Sequence, residues 1–361
     1  MSTCDAVSLD DVRDMIGRDV PAADILFSVF YSAVRSYRRD TLVRPFPDHF
    51  KVEGSTEGGA AEDPHNFERL MEAAEALPPM ASLMAPTDGA HTTVLDGDAL
   101  VTVGWLISRC PLRLNTLSPA MYEPIQAKSG AATYKLPPDH IFGVEHREPS
   151  PRSRRFDELA KDHGVITCYH GTALENFHSI LMNGFLSHFN KAALYGEGTY
   201  FSTDLSVCMG FIAAGQAWGK SAIGSKLSCV AVCDVVKHPS VTLPGGVVRR
   251  DLDRASSVGG DRAPDTYVVV PNNDHIRIRY LFVYAEQTAA PATAVAAGAA
   301  GTAADEGEGG PRSARRCCSG LRATVARNRF AVSLMCYALM LVVISLWNSR
   351  SFRRWVVRAM R

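Results

Sequence analysis

Between residues 164 and 202 the chain alternates in a way that few folds accommodate: a short strand, a helix, a loop and a second strand, with His-Gly at one end and Gly-Glu-Gly-Thr-Tyr-Phe-Ser at the other. Val165-Ile166-Thr167-Cys168-Tyr169 is β-branched and aromatic and runs into His170-Gly171-Thr172, which predicts a buried strand leading into a turn. From Leu174 the apolar residues Phe177, Ile180, Leu181 and Phe185 recur at helical spacing, and Gly184 stands where a C-terminal cap falls, predicting a helix over 174–183. A loop follows over 190–195. Gly196-Glu197-Gly198 then lets the backbone come close to a neighbour before Thr199-Tyr200-Phe201-Ser202 re-enters the sheet, because glycine has no Cβ. Singly these residues decide nothing. A second His-Gly pair occurs at His163-Gly164, and a tyrosine after a Gly-rich bend is ordinarily sheet packing. Order and spacing together carry the signal.

The remainder of the chain sorts around this stretch. Residues 1–110 read as an all-helical domain: Pro21 suits a first helical turn ahead of Ile25, Leu26, Val29, Phe30, Ala33, Val34 and Tyr37. Asp63 and Pro64 can start a second helix with Phe67, Leu70, Met71 and Ala74 inward, and Asp96 to Ser108 supplies a third. Residues 111–287 turn to short strands with helices between them, an α+β pattern. Lys226 to Val236 is strongly β-branched, and Pro271-Asn272-Asn273-Asp274 between two further strands reads as a hairpin turn. No Gly-x-Gly-x-x-Gly follows a strand, so a Rossmann reading has no support.

Charge and cysteine usage narrow the class further. The formal net charge is zero, but residues 312–361 hold 11 arginines and no acid, which leaves an acidic body and argues against nucleic acid as a partner. Nine cysteines without a Cys-x-x-Cys give neither a disulfide framework nor a zinc signature, and no metal is expected; Cys229 and Cys233 share a strand as packing. Residues 288–329 are rich in Ala and Gly and then basic, a tether that cannot pack a core. Residues 330–347 carry no charge over eighteen positions, which at 1.5 Å per residue spans about 27 Å and matches a thin endoplasmic-reticulum bilayer. Arginines flank this run on both sides, so it reads as a transmembrane helix followed by a short basic tail at 348–361. Cys317 and Cys318 beside it are candidates for S-palmitoylation or plain surface thiols.

His-Gly-Thr at a strand end, the helix after it, Leu194-Tyr195-Gly196-Glu197-Gly198-Thr199-Tyr200 and a following Ser/Leu-rich helix together resemble the catalytic domain of the poly(ADP-ribose) polymerase family. The likeness is greatest to its tail-anchored mono-ADP-ribosyltransferase member of the endoplasmic reticulum, and runs from Tyr37-Arg38-Arg39-Asp40 to the C-terminal span. It implies the split-sheet ADP-ribosyltransferase fold, NAD as substrate, and a catalytic set of His170, Tyr200 and Tyr267. In that family a helical region abuts the donor cleft and can regulate access to it; a purely structural role is the plainer reading of residues 1–110.

Breaking the bond between nicotinamide and ribose passes through an oxocarbenium-like state, so the site must hold the departing ring and fix the ribose. By the resemblance, Tyr200 and Phe211 sandwich the nicotinamide, the backbone of Gly171 pairs with its carboxamide, and His170 bonds a ribose hydroxyl of the adenosine half, with Thr172 beside it. Two departures matter. Cys208 stands where polymerases place a serine, and is a poor donor. Tyr267 stands where they place the catalytic glutamate, and a phenol donates a hydrogen bond where chain growth needs a base. The reading is therefore a protein mono-ADP-ribosyltransferase. Its cytosolic body, tethered to the endoplasmic reticulum membrane or nuclear envelope, would modify membrane-associated acceptor proteins and itself. The alternative is a catalytically silent NAD-binding membrane scaffold.

Overall fold

The computed structural model describes residues 9–52, 65–84, 96–186, 195, 197–246 and 264–286. The tether, the span and the basic tail expected at 288–361 lie outside the described residues.

The N-terminal region opens with α1 (Leu9–Gly17) and α2 (Val20–Arg35). The carboxylate of Asp19 accepts from Ala22 N at 3.0 Å and Pro21 occupies the first turn, so α2 is started by both a cap and a pre-set φ. Every residue from 22 to 34 is buried. A helix apolar on one stripe would need one neighbour; α2 is covered all round. Its neighbours are the short α3 (Arg39–Leu42), α4 (Phe67–Ala76) and α5 (Gly97–Arg109) on one side and the sheet region on the other. Asn66 caps α4, accepting from Arg69 N at 2.9 Å, so the helix starts at Phe67 rather than at the expected Asp63-Pro64, and His65 before it forms a bridge with Lys51 instead.

The sheet region contributes β1 (Leu112–Leu117), α6 (Tyr122–Ala127), β2 (His140–His146), α7 (Pro151–His163), β3 (Val165–Thr172), α8 (Asn176–Asn183), β4 (Thr199–Ser202), α9 (Leu205–Met209), β5 (Gly215–Gln216), β6 (Lys226–Val236), β7 (Tyr267–Val270) and β8 (Ile276–Ala285). The strands run β1-β2-β8-β6-β3-β4-β7, all antiparallel, with β5 on β6. β3 meets β6 over eight residue pairs but meets β4 at the single pair Tyr169 and Ser202, so β4 and β7 diverge from the main sheet. That is the split sheet implied by the resemblance. β6 is buried on both faces over Leu227–Cys233, in keeping with its unbroken β-branched run, and Cys229 and Cys233 are packing residues within it.

Two local expectations are corrected. The turn at Pro271-Asn272-Asn273-Asp274 is no hairpin: β7 pairs with β4 and β8 with β6 and β2, so the chain crosses the sheet between them. Turn residues report a reversal of direction, while pairing is decided by long-range packing. The helix expected from Leu174 begins at Asn176, because Leu174 N donates to Ala213 O across to a neighbouring segment instead.

The helical and sheet regions belong to one compact unit. Trp218, 1% exposed, donates Nε1–H to Ala74 O at 3.1 Å and sets its ring edge-on to Phe27 at 5.0 Å. Asp24 of α2 is buried and accepts from Ser221 Oγ at 2.5 Å and Ala222 N at 2.8 Å. Burial raises its pKa against the lowering effect of those bonds.

Candidate active site

β3 delivers His170, Gly171 and Thr172 to the point where the sheet splits. The His170 ring is half-buried between Phe185 (4.9 Å between centroids) and Phe201 (5.4 Å). Its Nδ1 lies 2.8 Å from Tyr200 O. A carbonyl only accepts, so Nδ1 carries the proton and the neutral ring keeps Nε2 as an acceptor. Burial lowers the His170 pKa, and the bond to Tyr200 O only partly opposes it, so the imidazole stays neutral around pH 7.

Beside His170 a cavity of about 220 Å³ opens, lined among others by Arg38, Thr172, Asn176, Phe185 and Thr199. Three of these are wired together. Arg38 Nη1 donates to Asn176 Oδ1 at 3.3 Å, and Asn176 Nδ2 donates to Thr172 Oγ1 at 2.8 Å. Arg38 caps the start of α3, so the helical region supplies part of this wall. Of the predicted residues, the cavity brings together His170 and Thr172. Tyr200, Gly171, Cys208, Phe211 and Tyr267 do not line it.

The tyrosines form a second group. Phe201 faces His170, so strand alternation turns Tyr200 to the other side of β4. Pairing of Tyr200 with Val269 and of Ser202 with Tyr267 puts Tyr200 and Tyr267 on one face of β4 and β7, one diagonal step apart. Tyr195 joins them: its N–H donates to Tyr200 Oη at 2.9 Å and its ring stands edge-on to Tyr267 at 5.8 Å. Burial raises the Tyr200 pKa. Glu197, the nearby loop acid, is exposed.

Close packing of backbone against backbone accounts for glycine at two positions. A Cβ on Gly171 would collide with the carbonyl oxygen of Cys208, so the residue is required by the approach of α9 to β3. Gly198 takes φ 149° and a Cβ there would come 2.7 Å from Val270 O, so it serves the pairing of β4 with β7. Cys208 is buried and its thiol donates to Tyr169 O at 3.2 Å, turned away from solvent. Burial pushes the thiol up to about 12, so it is protonated. Phe211 follows α9 and is 62% exposed. Among the described residues, no group of three or more His, Cys, Asp or Glu is placed to hold a metal ion.

Reasoning from sequence missed Arg38, Asn176, Phe185 and Tyr195 as parts of the site. Asn176 lay on the predicted helix, Phe185 just past its Gly184 cap and Tyr195 in the Leu-Tyr-Gly-Glu-Gly run, but only Tyr195 carried a local signal.

Residues 14–107 match the family described as ARTD15 N-terminal domain, and residues 124–286 match the poly(ADP-ribose) polymerase catalytic domain. The chain is 33% identical over 356 residues to the protein mono-ADP-ribosyltransferase PARP16 of Homo sapiens, covering 97% of each chain. It is 32% identical over 355 residues to that of Mus musculus, again covering 97% of each. The protein mono-ADP-ribosyltransferase PARP8 of Mus musculus is 24% identical over 76% of this chain and 33% of its own length.

Proposed function

This chain belongs to the poly(ADP-ribose) polymerase family and is an ADP-ribosyltransferase with NAD as its substrate, and on that premise we propose that it moves single ADP-ribose units to protein side chains, itself included, at the cytosolic face of the endoplasmic reticulum membrane. The observation that carries the reading is His170. Its Nδ1–H is committed to Tyr200 O at 2.8 Å, which leaves Nε2 as a fixed acceptor beside a cavity holding Thr172 and Asn176, an arrangement suited to a ribose hydroxyl.

In the reaction the ribose-to-nicotinamide bond breaks and its electron pair leaves with the ring, neutralising the pyridinium. An acceptor carboxylate then forms the new C–O bond and needs no proton removed. The neutral imidazole orients the adenosine-side ribose and so fixes the dinucleotide along the cleft. Tyr200 offers a π face to the departing ring, and Phe211, 62% exposed, is available for the other face. Tyr267, on the same face as Tyr200, supplies a hydroxyl donor where a second transfer would need a base, which supports single-unit products. In this reading residues 330–347 anchor the body, leaving the mass of the chain on the cytosolic side.

Isotope-labelled NAD tests the activity. His170→Ala and Tyr200→Ala, each checked for fold, should lose transfer to below a few per cent, and folded variants with full activity refute the assignment. Protease added to intact microsomes should remove the catalytic body, and a chain ending at residue 329 should be soluble and still modify itself; protection of the body refutes the orientation. A silent scaffold is the second reading, favoured by the Cys208 thiol facing Tyr169 O rather than solvent. Retained NAD binding with no label transferred would select it.

A further inference from the structure

Behind α8 lies a cavity about three times larger, of about 670 Å³, walled by the end of α5, the ends of β1 and β2, the first turns of α7, α8 itself and the start of β8. Its floor is apolar, with Cys110, Phe156, Ile180, Leu181, Ile276 and Ile278 all buried. Its rim is basic: Arg109, His146, Arg147, Arg152 and Arg277, against Glu148 as the single acid of the lining.

Two of these arginines are occupied. Arg152 donates to Asn183 O at 3.2 Å and Asn273 O at 2.8 Å, and Arg277 holds Asp157 at 2.6 Å while lying over the Phe156 ring. Two are not. Arg109 and Arg147 have no carboxylate partner among the described residues, and the Arg147 side chain makes a single 3.5 Å contact there, to Leu112 O. Burial first, and then the neighbouring charges of Arg113 and Arg18, push the Arg147 pKa down; the nearby Cys110 opposes them. With Arg277 paired to Asp157 and Arg152 to Asp274 at 3.6 Å, the two guanidinium groups left beside the apolar floor make a field that a bound anion would relieve. The dimensions fall within the range of small-molecule pockets.

We infer that this cavity is a second ligand site, for a small phosphorylated molecule with a flat apolar body, the class that includes mononucleotides. The floor takes the ring, and Arg109 and Arg147 take the phosphate. The cavity shares Ile180, Gly184 and Phe185 with the His170 cavity but contains none of His170, Tyr200 or Tyr267, so the inference does not rest on the proposed transfer reaction.

Calorimetric titration of AMP into the full chain in detergent micelles tests it, with wild type, His170→Ala and the double variant Arg109→Gln/Arg147→Gln, each checked by circular dichroism and melting. Binding should survive His170→Ala within about twofold and weaken by about tenfold or more in the double variant, since charge-assisted phosphate bonds are lost. Adenosine should bind about tenfold more weakly than AMP, and Arg147→Lys should retain most of the affinity. If His170→Ala melts early, the double variant alone decides. AMP binding unchanged in the double variant, or no AMP binding at all, overturns the inference. So does binding confined to vesicles carrying phosphorylated inositol lipids over plain phosphatidylcholine, which would make the rim a lipid-headgroup surface.

Discussion

Replacing Gly171 by alanine separates two reasons for a glycine beside a cleft. If the residue is glycine so that a ligand can approach, Gly171→Ala should leave stability alone and damage only turnover. The structure gives a different reason. The added Cβ would overlap the Cys208 carbonyl oxygen and come within 3.0 Å of Ile212 Cγ2, and the first of these is backbone, which cannot rotate away. α9 must retreat from β3, stretching the Cys208 thiol contact to Tyr169 O, now 3.2 Å. Overpacking of this kind costs about 1–3 kcal/mol. For a domain of this size each kcal/mol lowers Tm by about 2–4 °C, so a fall of roughly 2–12 °C is expected by calorimetry. Phe211 N donates to Cys208 O at 3.0 Å, so Phe211 is carried with α9, and kcat/KM for NAD should fall by about tenfold or more through lost positioning. Gly143→Ala is the control: its Cβ would stand 3.4 Å from Leu117 Cδ1, an ordinary contact, and stability should change by less than about 0.5 kcal/mol. A Gly171→Ala protein as stable as wild type but unable to turn over NAD would refute the argument and restore the ligand as the reason.

Further expectations concern histidines, a tryptophan and the product. His178 is buried against Phe30 with neither ring nitrogen bonded, and burial pushes its pKa down to about 3, so His178→Leu should raise stability in urea by about 1 kcal/mol; a loss of more than that would show a partner was overlooked. The His275 ring lies tilted against His238 at 4.5 Å, and His163 meets His238 edge-on at 5.0 Å. Burial and then His238 lower the His275 pKa below 6.5, so the unfolded chain takes up its proton first. Stability is present above pH 6.5 and should be lost as pH falls below it, and His275→Gln should flatten that slope in melts between pH 7.5 and 5. Trp218→Phe leaves Ala74 O without its buried donor and should cost about 1–3 kcal/mol by urea unfolding; no change would mean that oxygen reaches water. Phosphodiesterase digestion of the modified protein should release AMP and no internal chain unit, and internal units would show Tyr267 to be misjudged.

Local patterns served well where one residue decides its own neighbourhood. β3, α8 and β4 emerge from alternation, helical spacing and the cap at Gly184, which takes φ 76° and donates to Ile180 O. The apolar breadth of α2 was legible too, since few polar residues interrupt it. What stayed hidden were facts about pairs distant in sequence. Asn176 reads as a helix-start residue until Arg38, 138 positions earlier, is found beside it. A glycine announces a close approach without naming what approaches, and the approach of α9 to Gly171 and of β7 to Gly198 is visible only in the fold. The order of strands in the sheet was equally silent, as β7 and β8 follow one another in the chain yet sit at different places in it.

The burial of α2 on every side also bears on how the protein is made. Its outer neighbours α4 and α5 leave the ribosome soon after it, but α8 and Trp218, which close its far side, come later. Roughly 180 residues separate Arg35 from Trp218, and at about 5–20 residues per second their synthesis takes on the order of 10–40 s. Through that interval Phe27 lacks the Trp218 ring, and Phe30, though met early by Trp105, waits for His178. A nascent chain in this condition is a natural client for a holdase, and codon changes that slow translation between residues 110 and 220 should lower the yield of folded protein more than the same changes after residue 226.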